Sequence, residues 1–123
     1  MHLILNEPFK AMATTTKYQA VKATGNAQEC TPVTGTSDKV VGFAQEKCDA
    51  GDAGLRVISV MTKGVTLAIA GGTINAGDEL KVTATGALTP VTTAGDIICA
   101  KARDDAASGD LFNVEIRDDN KHA

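Results

Sequence analysis

Histidine is almost missing from this chain. His2 and His122 are the two copies, and they sit at opposite ends of 123 residues. Chain ends are poorly ordered unless tied down. The body therefore offers no imidazole to a Ser–His or Cys–His pair and no imidazole cluster to a metal. Tryptophan is absent and aromatic residues make up 3% of the chain, so the core must be built from Val, Ile, Leu and Ala. No long apolar run occurs, and nothing reads as a spanning helix. Lys and Arg number 12 against 15 Asp and Glu, a net charge of −3, which leaves no basic footprint for nucleic acid. Cys30, Cys48 and Cys99 are odd in number and widely spaced, with no CxxC. That pattern argues against a zinc knuckle, a thioredoxin-like site and a disulfide scaffold. It fits small buried hydrophobes in a chain made in a reducing cytosol. The apolar start, Met1 to Phe9, lacks a basic n-region and is too short for a signal peptide. Met12 is a second candidate start.

What the chain does contain is a copy of itself. Thr31-Pro32-Val33 recurs as Thr89-Pro90-Val91, and the same step carries Asp38 onto Asp96, Val40 onto Ile98, Ala44 onto Ala102 and Gly51-Asp52 onto Gly109-Asp110. Ala23-Thr24-Gly25 is echoed by Ala84-Thr85-Gly86 with a small shift. Two copies are too few for a solenoid. They suit one closed domain made of two similar β halves.

Short Val/Ile/Thr-rich runs bounded by Gly, Asp, Asn and Pro predict an all-β domain. Strands are expected at 18–23, 29–33, 39–45, 55–61, 65–69, 79–84, 87–89, 96–102 and 111–117. The alternation in Val65-Thr66-Leu67-Ala68-Ile69 has the period of a half-buried strand. Gly25 and Gly86 are expected at hairpin tips. A turn device recurs at Gly51-Asp52, Gly77-Asp78, Gly95-Asp96 and Gly109-Asp110. Gly permits a positive φ, and Asp can accept hydrogen bonds from nearby backbone N–H groups. Residues 43–50 and 102–107 could each add one helical turn. The organisation read from these patterns is an arm at 1–16, a single β domain at 17–117 and a charged tail at 118–123.

Carboxylates are the remaining chemical resource. Asp49 and Asp52, Asp104 and Asp105, and Asp118 and Asp119 form small clusters. Paired carboxylates can serve acid–base work or hold calcium, but the loop around Asp49 lacks the dense oxygen ligands of a calcium site. Solvated turns are the plainer reading, with no metal and no cofactor. Ala70-Gly71-Gly72-Thr73 has no following Lys-Ser/Thr and is not a phosphate-binding loop. Lys63-Gly64 reads as a hairpin tip, the place where a lipoyl or biotinyl carrier presents its modified Lys. The usual flanks of that Lys are missing here. A small-ligand-binding β domain is a further alternative.

The order of these elements resembles a family of small tailed-phage proteins, the capsid decoration or cement proteins of the DUF2190 type. The matching residues are Val40-Val41-Gly42-Phe43-Ala44-Gln45, Ala50-Gly51-Asp52, Val57 to Val60, Ile74-Asn75-Ala76-Gly77-Asp78-Glu79-Leu80, and Gly109-Asp110-Leu111-Phe112-Asn113-Val114-Glu115-Ile116. Ile98-Cys99-Ala100 departs from the family's Val/Ile-Gly-Val pattern. The resemblance implies a β-clip, tulip-like or barrel fold, a homotrimer, and binding to the major capsid protein on the outside of a phage head. It brings no catalytic residues, so the expected protein is not an enzyme and engages neither nucleic acid nor membrane. On that reading the apolar residues of the arm, Leu3, Ile4, Leu5 and Phe9, contact a neighbouring subunit or the capsid by strand addition.

Overall fold

Apolar runs cut short by Gly and Asp cannot build long elements, and the chain folds as a series of brief strands. The computed structural model describes residues 5–35, 38–92 and 97–117. In chain order these are β1 (Leu5–Ala11), β2 (Ala20–Ala23), β3 (Glu29–Pro32), β4 (Gly42–Ala44), β5 (Arg56–Lys63), β6 (Val65–Ile69), β7 (Glu79–Val82), β8 (Leu88–Pro90), β9 (Ala100–Ala102) and β10 (Leu111–Ile116). A short 3-10 turn, Ala50–Asp52, precedes β5. The all-β expectation therefore holds, and each of the nine expected strands has its counterpart among β2 to β10.

The first half closes into a barrel in the order β1-β3-β2-β4-β5, with β5 returning antiparallel along β1. The second half forms a sheet in the order β6-β10-β9-β7-β8. These are the same topology. Replacing β1 to β5 by β6 to β10 reproduces every antiparallel pairing of the barrel. The parallel β1–β3 contact, Ala11 opposite Cys30, has its equivalent in an isolated parallel bridge between Ala70 and Leu88. Outside the strands, the Thr15–Cys48 bridge is matched by Ile74–Ala106. The internal duplication is thus a duplication of barrels.

The turns repeat as well. Tyr18, at φ 69°, and Gly77, at φ 94°, occupy one position. Their N–H groups donate to the carbonyls of Ala44 and Ala102, at 2.6 Å and 2.8 Å. Gly54 and Gly109, at φ 80° and 90°, form a second pair. Their N–H groups donate to Ala11 and Ala70, each at 2.8 Å. Gly25 and Gly86 have positive φ at the tips of the β2–β3 and β7–β8 hairpins, as expected.

Two apolar clusters fill the molecule. The first gathers Ala11, Val21, Cys30, Ala44, Cys48, Ile58 and Val60 inside the first barrel. The second is built on Leu80, Leu88, Phe112 and Val114, but Ala20, Val33 and Phe43 of the first half belong to it too. The small aromatic count is spent at this junction: Phe43 is fully buried between the halves. Polar ties reinforce it. The Gln45 side chain donates to the Thr66 hydroxyl at 2.8 Å, the Gln19 side chain to the Thr85 carbonyl at 2.9 Å, and Ala20 N–H to the Gly86 carbonyl at 3.1 Å.

Four expectations need correction. Residues 5–11 are no arm: they form β1, paired with β5 from Leu5–Lys63 to Ala11–Arg56. Pro8 and the polar residues around it disguised a strand. Gly51 and Gly109 are not equivalent. Gly51 lies in the 3-10 turn, and the first copy carries extra residues there, so that Gly54 takes the structural place of Gly109. Lys63-Gly64 is no hairpin tip, because β5 and β6 belong to different sheets and Gly64, at φ 116°, marks the crossover between halves. Residues 102–107 form no helix, and 43–50 reach only the start of the short 3-10 turn, which begins at Ala50.

Candidate interaction surface

Several acidic residues are engaged in turns, although Asp49 makes no side-chain cap bond to the turn it precedes. Asp78 accepts the Asn75 N–H at 2.9 Å and Asp110 accepts the Ala107 N–H at 3.1 Å, so the Gly-Asp device works as expected at Gly77 and Gly109. Gly95 and Asp96 lie outside the described residues, as do Asp118 and Asp119. Asp104 accepts both the side-chain N–H and the backbone N–H of Asn113, at 2.7 Å and 3.1 Å, and these bonds hold its carboxyl below the usual range. Asp105 accepts the Ala76 N–H at 2.7 Å. The first barrel repeats this use of acid: Glu46 accepts the Ser59 N–H at 2.8 Å, where Asp104 accepts that of Asn113. Asp38 ties a loop to a neighbouring cation. It takes N–H groups of Thr34 and Gly35 at 2.9 Å and 3.0 Å and the Lys22 ammonium at 3.1 Å, and its carboxyl is lowered to about 2. Among the described residues no group of three or more His, Cys, Asp or Glu is placed to hold a metal ion.

All three cysteines are buried and free. Burial first, then the neighbouring Cys48, pushes the Cys30 thiol up to about 11; burial pushes Cys99 up to about 12. A thiol that resists ionisation is a poor nucleophile. Their role is to fill space.

The surface is more informative than the interior. Of the interface residues expected in an arm, Leu3 and Ile4 lie outside the described residues. Leu5 is exposed on β1, while Phe9 leans against the first core cluster. Other exposed apolar side chains went unnoticed in the sequence: Met12, Leu55, Val57 and Leu111. Leu55 is 81% exposed. Val57 and Leu111 are equivalent positions, opposite Lys10 and Ile69 on the paired strands. On β6, Thr66 and Ala68 are buried, while the larger Val65, Leu67 and Ile69 on the opposite face are half-buried and belong to neither core cluster. The signal was present in the alternation of β6, where the small residues occupy the buried phase. A shallow groove of about 340 Å³ runs beside β1, lined by Pro8, Lys10, Ala27, Gln28, Glu29 and Val57.

No protein-family model matches the chain, and no curated protein matches it. Among solved structures, the fold is similar to that of the head fiber gp8.5 N base of bacteriophage phi29. The TM-score is 0.69 at 17% sequence identity, covering 98% of this chain and 100% of that one. The likeness spans both barrels and shows that the two chains share a fold.

Proposed function

We propose that this protein is a non-catalytic structural component of a tailed-phage head. In this reading it is a decoration or cement protein that binds the major capsid protein on the head exterior as a homotrimer and stabilises the shell. The observation that carries the reading is the end-to-end fold likeness to a phage head fiber base, with neither chain left uncovered. The order of the Gly-Asp and Val-Gly-Phe motifs adds to it. Asp38, Asp78 and Asp110 tie turns and the three cysteines are buried, uses that suit an architectural protein. The protein is made in the host cytoplasm and acts on the virion surface.

A carrier module is the competing reading, and the position of Lys63 at a crossover between sheets disfavours it. Two measurements test the choice. Purified protein mixed with heads that lack it should co-sediment with them; failure to bind sinks the decoration reading. Intact mass after expression in a competent host should equal the chain mass; an added cofactor on Lys63 would favour the carrier.

A further inference from the structure

The duplication supplies an internal control for the surface of the second barrel. Ala70 N–H donates to Asp110 at 2.8 Å, and the Gly64 carbonyl accepts Ile116 N–H at 2.9 Å. Even-numbered residues of β6 therefore aim their backbone at β10, and Val65, Leu67 and Ile69 aim theirs the other way. On that side the parallel Ala70–Leu88 bridge takes up the end of β6 at Ile69, and no described strand pairs with Val65 or Leu67. The Leu67 carbonyl there accepts the Thr66 hydroxyl at 3.2 Å. The side chains of this edge are the half-buried Val65, Leu67 and Ile69, with the exposed Leu111 beside Ile69.

The same edge in the first barrel is closed. Its equivalent residues are Asn6, Pro8 and Lys10. Pro8 has no N–H to give, its carbonyl accepts the Gln28 side chain at 2.7 Å, and Lys10 N–H donates to the Gln28 carbonyl at 2.7 Å. Proline, charge and a covering side chain are the usual protections of a sheet edge. The barrel backbone forms with them in place. It therefore does not require an apolar, uncharged edge, and the second copy has one for another reason.

We propose that the free edge of β6 is the docking site for an extended strand of a head-surface protein, uncharged and with apolar residues at alternate positions. The choice of a head protein rests on the function proposed above. Charge argues for the pattern: β6 carries no charge from Val65 to Ile69, so a charged partner strand would lose solvation for nothing. The chain's own last residues, Arg117-Asp118-Asp119-Asn120-Lys121, have the wrong pattern. Size argues against a second copy. A five-residue edge is about 17 Å long and about 10 Å wide, well short of the roughly 800 Å² that each partner buries in a stable pair. Such a contact suits one site among many on a repeating shell, where avidity supplies the rest.

The test gives the second barrel the edge of the first. Val65→Asn, Leu67→Pro and Ile69→Lys are combined, with Leu67→Lys alone as a milder variant and Val57→Lys on the other barrel as a control. Binding to heads that lack the protein is measured by co-sedimentation, with folding checked by circular dichroism. The proposal expects Val57→Lys to bind as the parent does, and the β6 variants to lose about tenfold or more in affinity. It also expects slowed amide exchange at Val65, Leu67 and Ile69 on the head. Folded β6 variants that bind normally, or unslowed exchange, overturn this inference and leave the function standing. A parent protein that ignores heads overturns both. A parent dimer that the β6 variants split into monomers replaces the head strand by a second copy.

Discussion

Asp38 shows how one carboxylate holds a loop. Its first and largest support is the Thr34 N–H, followed by the Lys22 ammonium, and its folded pKa of about 2 lies below the ordinary 3.8. A lowered pKa means that the contribution to stability is present above the ordinary value and is lost as pH falls through about 2. Asp38→Asn should therefore melt below the parent protein at pH 6, with the gap shrinking between about pH 4 and pH 2. A gap that stays constant with pH would show that the charge is idle. Gly42 makes a different demand. A methyl group there would lie against the Met61 carbonyl and 2.7 Å from the Val60 side chain. Gly42→Ala should cost on the order of 1–3 kcal/mol in urea unfolding. The equivalent residue of the second barrel is Ala100, fully buried in β9. Ile98-Cys99-Ala100 thus keeps the strand at the place where the first half has Val40-Val41-Gly42.

Among the elements, β1 decides how the first barrel closes. It lies between β3 and β5 and supplies Ala11 to the core. Removal of residues 1–11 should abolish the cooperative melting of the first barrel and expose its core to dye binding. A truncated chain that melts like the parent would contradict this assignment. The same element marks the limit of what the sequence reveals. Strands β2 to β10 were legible because Val, Ile and Thr cluster between Gly and Asp turns. In β1, Asn6, Glu7, Pro8 and Lys10 interrupt that signal, and long-range pairing with β5 overrides the local preference. The duplication was legible from β3–β4 onto β8–β9, where no residue is inserted. Around Gly51 the sequence match pointed to the wrong glycine, since only hydrogen-bond geometry shows that Gly54 holds the equivalent turn. The sequence placed apolar contact residues at Leu3, Ile4, Leu5 and Phe9 and not on β6: alternation in β6 gave the period, while the barrel decides which phase is buried.

At the scale of the whole molecule, two barrels share one backbone plan and one junction core but differ in surface. The first presents Pro8, Lys10 and Glu29 around a shallow groove; the second carries the half-buried Val65, Leu67 and Ile69 with the exposed Leu111 beside them. This asymmetry suits a protein with one face for solvent and one for attachment. Native mass spectrometry at micromolar concentration should show three chains. A strict monomer there would count against the trimer, unless three chains assemble on the head, and imaging separates those cases. The most direct test is electron cryomicroscopy of phage heads incubated with the purified protein. The account predicts added density at repeated positions on the outer surface, each lobe accommodating the double barrel with its second half toward the shell. Heads indistinguishable from untreated ones, or density confined to the interior, would contradict it.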